Sequence, residues 1–251
     1  MNEYPRFLTP TLLPYDPLEL VSTTEKIVSK DSQRKYTNFY CTGVYGGIST
    51  GYTVGCCLRC IFCWVDFSRE FPEDYGEFYS PEEVFKRLTE NAQTNKLSKL
   101  RISGGEPTLC KNHLLKLLKL IEETDYLFVL ETNGILLGAN LGYAEALGQY
   151  SHFHLRLSLK AGTPESFQKR TGAKGEFFEL PFQAIKNLMK NNIDFHLAVM
   201  SDPRLMPQEE RKVLLQKLKQ LGYDDYLEEE ICDPYETTIT RLKKAAEHYE
   251  L

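Results

Sequence analysis

The stretch "VGCCLRCIFCWVDF", residues 54 to 67, holds four of the chain's seven cysteines within eight positions: Cys56, Cys57, Cys60 and Cys63. Cys56, Cys60 and Cys63 follow a C-x3-C-x2-C spacing, which Cys57 breaks, so Cys57 reads as a bystander. Structural zinc takes four protein ligands, commonly as two separated pairs, and no second C-x2-C or H-x3-H follows. Three thiolates on one tight loop can instead hold three irons of a 4Fe-4S cluster, leaving the fourth iron open to a non-protein ligand. Zinc stays as the second reading. Buried cysteines acting as small hydrophobes are the third, which the crowding and the flanking Arg59 and Asp66 oppose.

Outward from this loop the chain alternates strand-like and helix-like segments from about Phe39. "SPEEVFKRLTEN" opens with Ser80 as N-cap, Pro81 at the first helical position and Glu83 completing a capping box. "KLSKLRISG" then predicts a strand ending near Ser103, and "KNHLLKLLKLIEET" a helix with leucines at helical spacing. "YLFVLET" reads as a buried strand, "YAEALGQY" as a short helix and "FHLRLSLK" as an alternating strand. "FELPFQAIKNLMKNN" predicts a helix closed by Asn191 and Asn192, and "IDFHLAVM" another strand. "PQEERKVLLQKLKQLG" is an amphipathic helix ending at Gly222, and Glu236 to Leu251 a last one.

With a strand before the cysteines this makes five or six βα units, hence a parallel sheet joined by right-handed crossovers. A closed eight-unit barrel takes about 250 residues without an N-terminal arm. The expected fold is therefore α/β, a partial, open barrel of the (β/α)6 type. Residues 1–37, with four prolines and little periodicity, read as an irregular N-terminal extension, and residues 38–251 as a single domain. In such folds chemistry gathers where strands end. The unusual residues lie there: the cysteines after the first strand, "GGEP" after the second, "ETNG" after the third, "SLK" closing the fourth and "HLAVM" in the fifth.

Composition frames these motifs without naming a partner. A chain of 251 residues, 42% hydrophobic and 12% aromatic, can bury a proper core. A formal charge of −5 gives no global pull towards nucleic acid. No window approaches the roughly 18 apolar residues of a membrane span. Seven cysteines, an odd number and crowded, suit a reducing compartment and a metal site better than a disulfide framework. The expectation is a cytoplasmic protein; Cys41, Cys110 and Cys232 stand apart and have no assigned role.

The loop "CCLRCIFCW" followed some forty residues later by "SGGEP" resembles the radical S-adenosylmethionine (SAM) superfamily. The order of further motifs is similar to the activating enzyme of pyruvate formate-lyase and its single-cluster relatives. The resemblance implies one 4Fe-4S cluster on Cys56, Cys60 and Cys63, whose open iron is chelated by the methionine amino and carboxylate groups of SAM. One electron then cleaves the sulfonium, giving methionine and a 5′-deoxyadenosyl radical that abstracts hydrogen from a substrate. A one-electron donor such as flavodoxin or ferredoxin is implied as a partner.

The same resemblance gives roles to residues that composition alone would leave as turns or core. Gly104 and Gly105 permit close backbone approach, and Glu106 is an acceptor for the SAM amino group, where an ordinary turn is the plain alternative. Phe62 lies at the aromatic position near adenine. In "ETNG", Glu131 stands where relatives carry aspartate, next to Thr132 and Asn133. Ser158 and Lys160 share one strand face, with Lys160 matching a lysine near the SAM carboxylate. His196 is either a nucleoside contact or a satisfied core histidine. The size and motif order, without a second cysteine-rich segment or a corrinoid domain, favour a protein or peptide substrate, as in glycyl-radical activation. A small molecule such as a pterin or nucleoside precursor is the alternative, and a non-enzymatic zinc or iron-sulfur protein the third.

Overall fold

The structure, a computed structural model, describes residues 4–232 and 235–248. The chain runs through α1 (Pro17–Val28), β1 (Ser29–Lys30), β2 (Gln33–Thr42) and β3 (Ile48–Thr53) before the cysteine loop. After it come β4 (Glu77–Tyr79), α2 (Pro81–Thr94), β5 (Lys99–Gly104), α3 (Lys111–Glu122), β6 (Leu127–Thr132), α4 (Ile135–Ala139) and α5 (Leu141–Leu147). The last third holds β7 (Phe153–Leu159), α6 (Pro164–Thr171), α7 (Glu179–Lys190), β8 (Phe195–Met200), α8 (Gln208–Gln220), β9 (Leu227–Glu230) and α9 (Glu236–Ala246).

Among the described residues one sheet contains all the strands, in the order β1-β2-β3-β5-β6-β7-β8-β9, with β4 on β2. From β3 to β9 each neighbour is parallel, six strands in sequence order. β1 and β9 lie at opposite ends of that order, so the sheet curls without closing and the expected open barrel is borne out.

Strand alternation sorts the chemistry. Leu100 and Ile102, Leu130, Leu155, Leu157 and Leu159, and Leu197 and Val199 are buried on the helix-covered side. The intervening Arg101, Ser103, Glu131, Arg156, Ser158 and His196 face the barrel lumen. An aliphatic outer layer thus carries a polar inner one. Truncating a residue such as Leu157 to alanine costs roughly 2–5 kcal/mol in a core of this kind.

The capping box forms as read: Ser80 Oγ accepts from Glu83 N at 3.2 Å and the Glu83 carboxylate accepts from Ser80 N at 2.7 Å. The extension expected to be irregular over residues 1–37 is regular from Pro17 onward. Asp16 caps α1 by accepting from Leu18 N at 2.7 Å, Pro17 takes the first helical position, and Leu20, Val21, Thr24 and Val28 make a buried stripe. β2 crosses the boundary drawn after residue 37 and pairs antiparallel with β3. Helix α6, capped by Thr163 with Pro164 at its first position, is an addition to the sequence reading, as is β9. The final helix is described to Ala246; residues 249–251 of the expected helix lie outside the described residues.

Candidate active site

A cavity of about 950 Å³ opens at the C-terminal ends of the parallel strands. All twelve residues singled out from sequence line it: Cys56, Cys60, Phe62, Cys63, Gly104, Gly105, Glu106, Glu131, Asn133, Ser158, Lys160 and His196. Cys57 does not. It is fully buried in the apolar core, with its sulfur 3.4 Å from Asn133 Nδ2.

The cysteine loop is held by its main chain. Arg59 Nη1 donates to the Cys56 carbonyl at 2.8 Å, Arg69 Nη1 to that of Cys60 at 2.7 Å, and Arg241 Nη1 to that of Cys63 at 2.6 Å. Each of the three spaced cysteines therefore has its own buried arginine, and the sulfurs are left to the cavity. Glu70, fully buried, lies between Arg69 and Arg241 and pairs with both. Burial alone would raise its carboxyl, but the two guanidiniums hold it below the ordinary carboxylate range. Arg241 comes from α9, whose Thr238 also donates to the Cys63 carbonyl, so the C-terminal helix clamps the loop.

The thiols differ among themselves. The Cys57 thiol, hydrogen-bonded to Cys56, brings Cys56 down to about 7 and is itself raised well above the ordinary thiol value by that same contact. Burial pushes Cys60 up to about 12, with the Lys160 ammonium pulling the other way. Among the described residues no three His, Cys, Asp or Glu side chains converge on one point that a single ion could occupy. Structural zinc takes four protein ligands, and the spaced loop offers three thiolates. Three thiolates suffice for a cluster whose fourth iron is left to an outside ligand. By donor count the loop fits a cluster better than zinc.

The "SGGEP" turn packs against the loop entrance by backbone. Gly105 N donates to Thr53 O and Glu106 N to Gly55 O, both at 2.8 Å. A Cβ on Gly105 would lie 2.0 Å from the Gly55 carbonyl oxygen, so only glycine permits this approach. The Glu106 side chain is engaged within the protein. Its Oε1 accepts from Thr108 N, Thr108 Oγ1 and Thr132 Oγ1, and its Oε2 from Asn133 N at 2.9 Å. That carboxylate ties "SGGEP" to "ETNG" and leaves room for one further donor on Oε2. Asn133 completes the link by reaching Cys56 Sγ at 3.7 Å.

Deeper in the lumen, charges that sequence reading passed over take part. Glu131 accepts from Arg101 at 2.9 Å, Tyr45 at 2.8 Å and Ser103 at 2.6 Å. Burial would raise its carboxyl, but Arg101 and Arg156 with these donors hold it low. Arg156 bridges Glu228 and Glu230 of β9 at 2.7 and 2.6 Å and donates to Ser158 Oγ at 3.0 Å. Lys160 Nζ sits 5.9 Å from the Phe62 ring centroid. His196 is bonded at both ring nitrogens, to His154 and to Glu228. Arg156 was within reach of the sequence, since it alternates with Ser158 and Lys160; the acidic β9, Arg69 and Arg241 carried no pattern that set them apart.

A partial parallel barrel with a three-cysteine loop at its first strand end defines a class, that of the radical SAM proteins. The description "Radical SAM superfamily" matches residues 51–218, and the chain belongs to that family. The family resemblance read from the motifs is borne out, and SAM binding comes with the membership. A putative glycyl-radical enzyme activating enzyme of Methanocaldococcus jannaschii is 35% identical over 85 residues, 34% of this chain and 31% of that protein. A probable GTP 3′,8-cyclase of Methanococcus maripaludis is 30% identical over 120 residues, 47% of this chain and 38% of that one. The chain spans about a third of the length of these curated relatives. Streptococcus suis SuiB bound to S-adenosylmethionine shares the fold with a TM-score of 0.57 at 16% identity, over 79% of this chain and 48% of SuiB. No helix among the described residues is long and apolar enough to cross a membrane.

Proposed function

We propose that this chain is a radical SAM enzyme with one 4Fe-4S cluster on Cys56, Cys60 and Cys63, acting on a protein or peptide. When bound, the cluster supplies the electron that cleaves SAM and so generates the radical that abstracts hydrogen. The chain's own residues position and shield. Arg59, Arg69 and Arg241 fix the cysteine main chain; the glycines of "SGGEP" bring a second backbone edge to the same wall; Oε2 of Glu106 offers its remaining acceptor site to the SAM ammonium. Lys160 offers a compact cation for the SAM carboxylate and Phe62 a ring face for adenine. Glu131, Asn133 and Ser158 line the path between that site and the lumen, and His196 bounds it below.

The observation that carries the substrate class is the mouth. Tyr40, Val44, Trp64, Tyr226, Ile231 and Tyr235 line the cavity and are each 44–70% exposed. Tyr40 stacks on Tyr52 at 4.5 Å, and Tyr52 meets Trp64 edge-on at 6.1 Å. Exposed aromatic and aliphatic side chains around a cavity mouth suit a partner surface. A polypeptide would rest on the rim and send one residue inward. The similarity to a GTP cyclase favours a second reading, a nucleotide-like small molecule in the lumen. Reconstituted enzyme offered perdeuterated protein extract or perdeuterated nucleotides separates the two. Deuterium in 5′-deoxyadenosine from the protein fraction supports the proposal; deuterium from the nucleotides alone overturns it. The reducing partner is a one-electron donor such as flavodoxin or ferredoxin.

A further inference from the structure

At the end of the barrel away from the cysteines, a chain of hydrogen bonds leads from solvent to the cavity. His154 is the second residue of β7 and His196 the second of β8, near the strands' N-terminal ends. Asp194 Oδ2 lies 2.6 Å from His154 Nδ1, His154 Nε2 lies 2.7 Å from His196 Nδ1, and His196 Nε2 lies 3.1 Å from Glu228 Oε2. The rings lie end to end and nearly coplanar, with centroids 5.0 Å apart and planes 19° off parallel. Side-chain exposure runs from 76% at Asp194 through 22% at His154 and 12% at His196 to 36% at Glu228, where the row meets the cavity. His196 and Glu228 both line the cavity.

Proton counting gives this chain its meaning. Three contacts join two carboxylates through two imidazoles, and each contact needs one proton. Two neutral imidazoles carry one N–H each. With both rings neutral one contact is therefore short of a proton, and the arrangements that leave the solvent end or the cavity end short differ by the transfer of one proton along the row. A structural pair of histidines needs no such degeneracy; a relay requires it.

We propose that Asp194, His154, His196 and Glu228 form a proton conduit from solvent at the barrel floor to the substrate side of the cavity. A proton arriving at His154 Nδ1 releases the one on Nε2 to His196 Nδ1. His196 in turn passes its Nε2 proton to a basic group of the substrate beside it, while Glu228 stays ionised and holds the ring. One proton enters, one leaves, and no electron moves. Rotation or exchange of the two rings resets the row. Arg156, 2.7 Å from Glu228, stays protonated and ends the row as an electrostatic stop. Tyr226, whose ring lies 5.7 Å from His196, with Glu131 and Glu230 beside Arg156, completes the charged and titratable surroundings. The inference holds whichever molecule the cavity takes: the reaction there exchanges a proton with solvent as well as a hydrogen atom with the cofactor.

The test uses full-length protein labelled with 15N-histidine, with ring-proton exchange at His196 followed by NMR. Replacing His154 by alanine is expected to slow that exchange by on the order of a hundredfold. Added imidazole, filling the vacated space, restores it, which a packing role would not allow. Asp194→Asn, a change at an exposed side chain that leaves the core intact, slows exchange at His196 two hydrogen bonds away. Unchanged His196 exchange in both variants, with protons reaching it from the cavity side, overturns the conduit. So does slowing that imidazole leaves untouched.

Discussion

Two walls of one cavity are built in opposite ways. The cysteine wall is fixed through its main chain, with three buried arginines each on the carbonyl of one cysteine and Glu70 neutralising two of them. Of the three spaced sulfurs only that of Cys56 takes part in local contacts, with Leu58 N at 3.4 Å and Asn133 Nδ2 at 3.7 Å. The β7–β9 wall is fixed through its side chains, where Arg156, Glu228, Glu230, His154 and His196 hold one another. The first arrangement keeps reactive groups free for an outside partner. The second makes each functional group part of the scaffold, so that changing one changes the charge of its neighbours.

Substitutions should divide along the same line. The largest effect belongs to the sulfurs: Cys56→Ala, Cys60→Ala or Cys63→Ala should abolish iron retention after anaerobic reconstitution, while Cys57→Ala keeps it. Normal iron content in Cys60→Ala would contradict the assignment. Next is Glu70→Gln, which strands two buried guanidiniums and should destabilise the protein by about 3–5 kcal/mol in urea unfolding. A loss under about 1 kcal/mol would mean that Arg69 and Arg241 are satisfied by the carbonyls alone.

The opposite wall should respond to pH. Hydrogen bonding from His196, with Arg156, outweighs desolvation and holds the Glu228 carboxyl down at about 2. A carboxyl depressed on folding stabilises the protein above its unfolded value of about 4.5, and that contribution is lost as pH falls from there towards 2. Glu228→Gln should therefore flatten the acid limb of the stability curve; an unaltered limb would count against the pairing. The smallest effect on stability is expected at the rim, where Trp64→Ala should leave it within about 0.5 kcal/mol. The same change should weaken capture of a protein substrate, read as a raised KM with little change in kcat.

Much of the first wall was legible before any coordinates, and little of the second. Spacing singled out three cysteines, and "SGGEP", "ETNG" and "SLK" fell at strand ends because parallel βα units put their variable residues there. The order of the first five parallel strands followed from the βα count, and the sixth, β9, did not. What stayed hidden depended on contacts distant in sequence. Arg241 lies 178 residues from Cys63 and carries no local pattern. β9 is "LEEE", a composition that propensity assigns to a solvated segment, and it forms a strand by pairing with β8 while Arg156 answers the charges of Glu228 and Glu230. Glu106 read as an open acceptor because the Thr108, Thr132 and Asn133 donors that occupy it converge only in the fold. Helix α1 was obscured by prolines, although Asp16 and Pro17 form a regular start.

The central claim is that three cysteines hold a cluster with one iron left for SAM. Anaerobic reconstitution followed by reduction in the presence of SAM tests it most directly. The account predicts a brown protein that releases 5′-deoxyadenosine and methionine on reduction. A colourless protein that retains zinc and leaves SAM intact would contradict it.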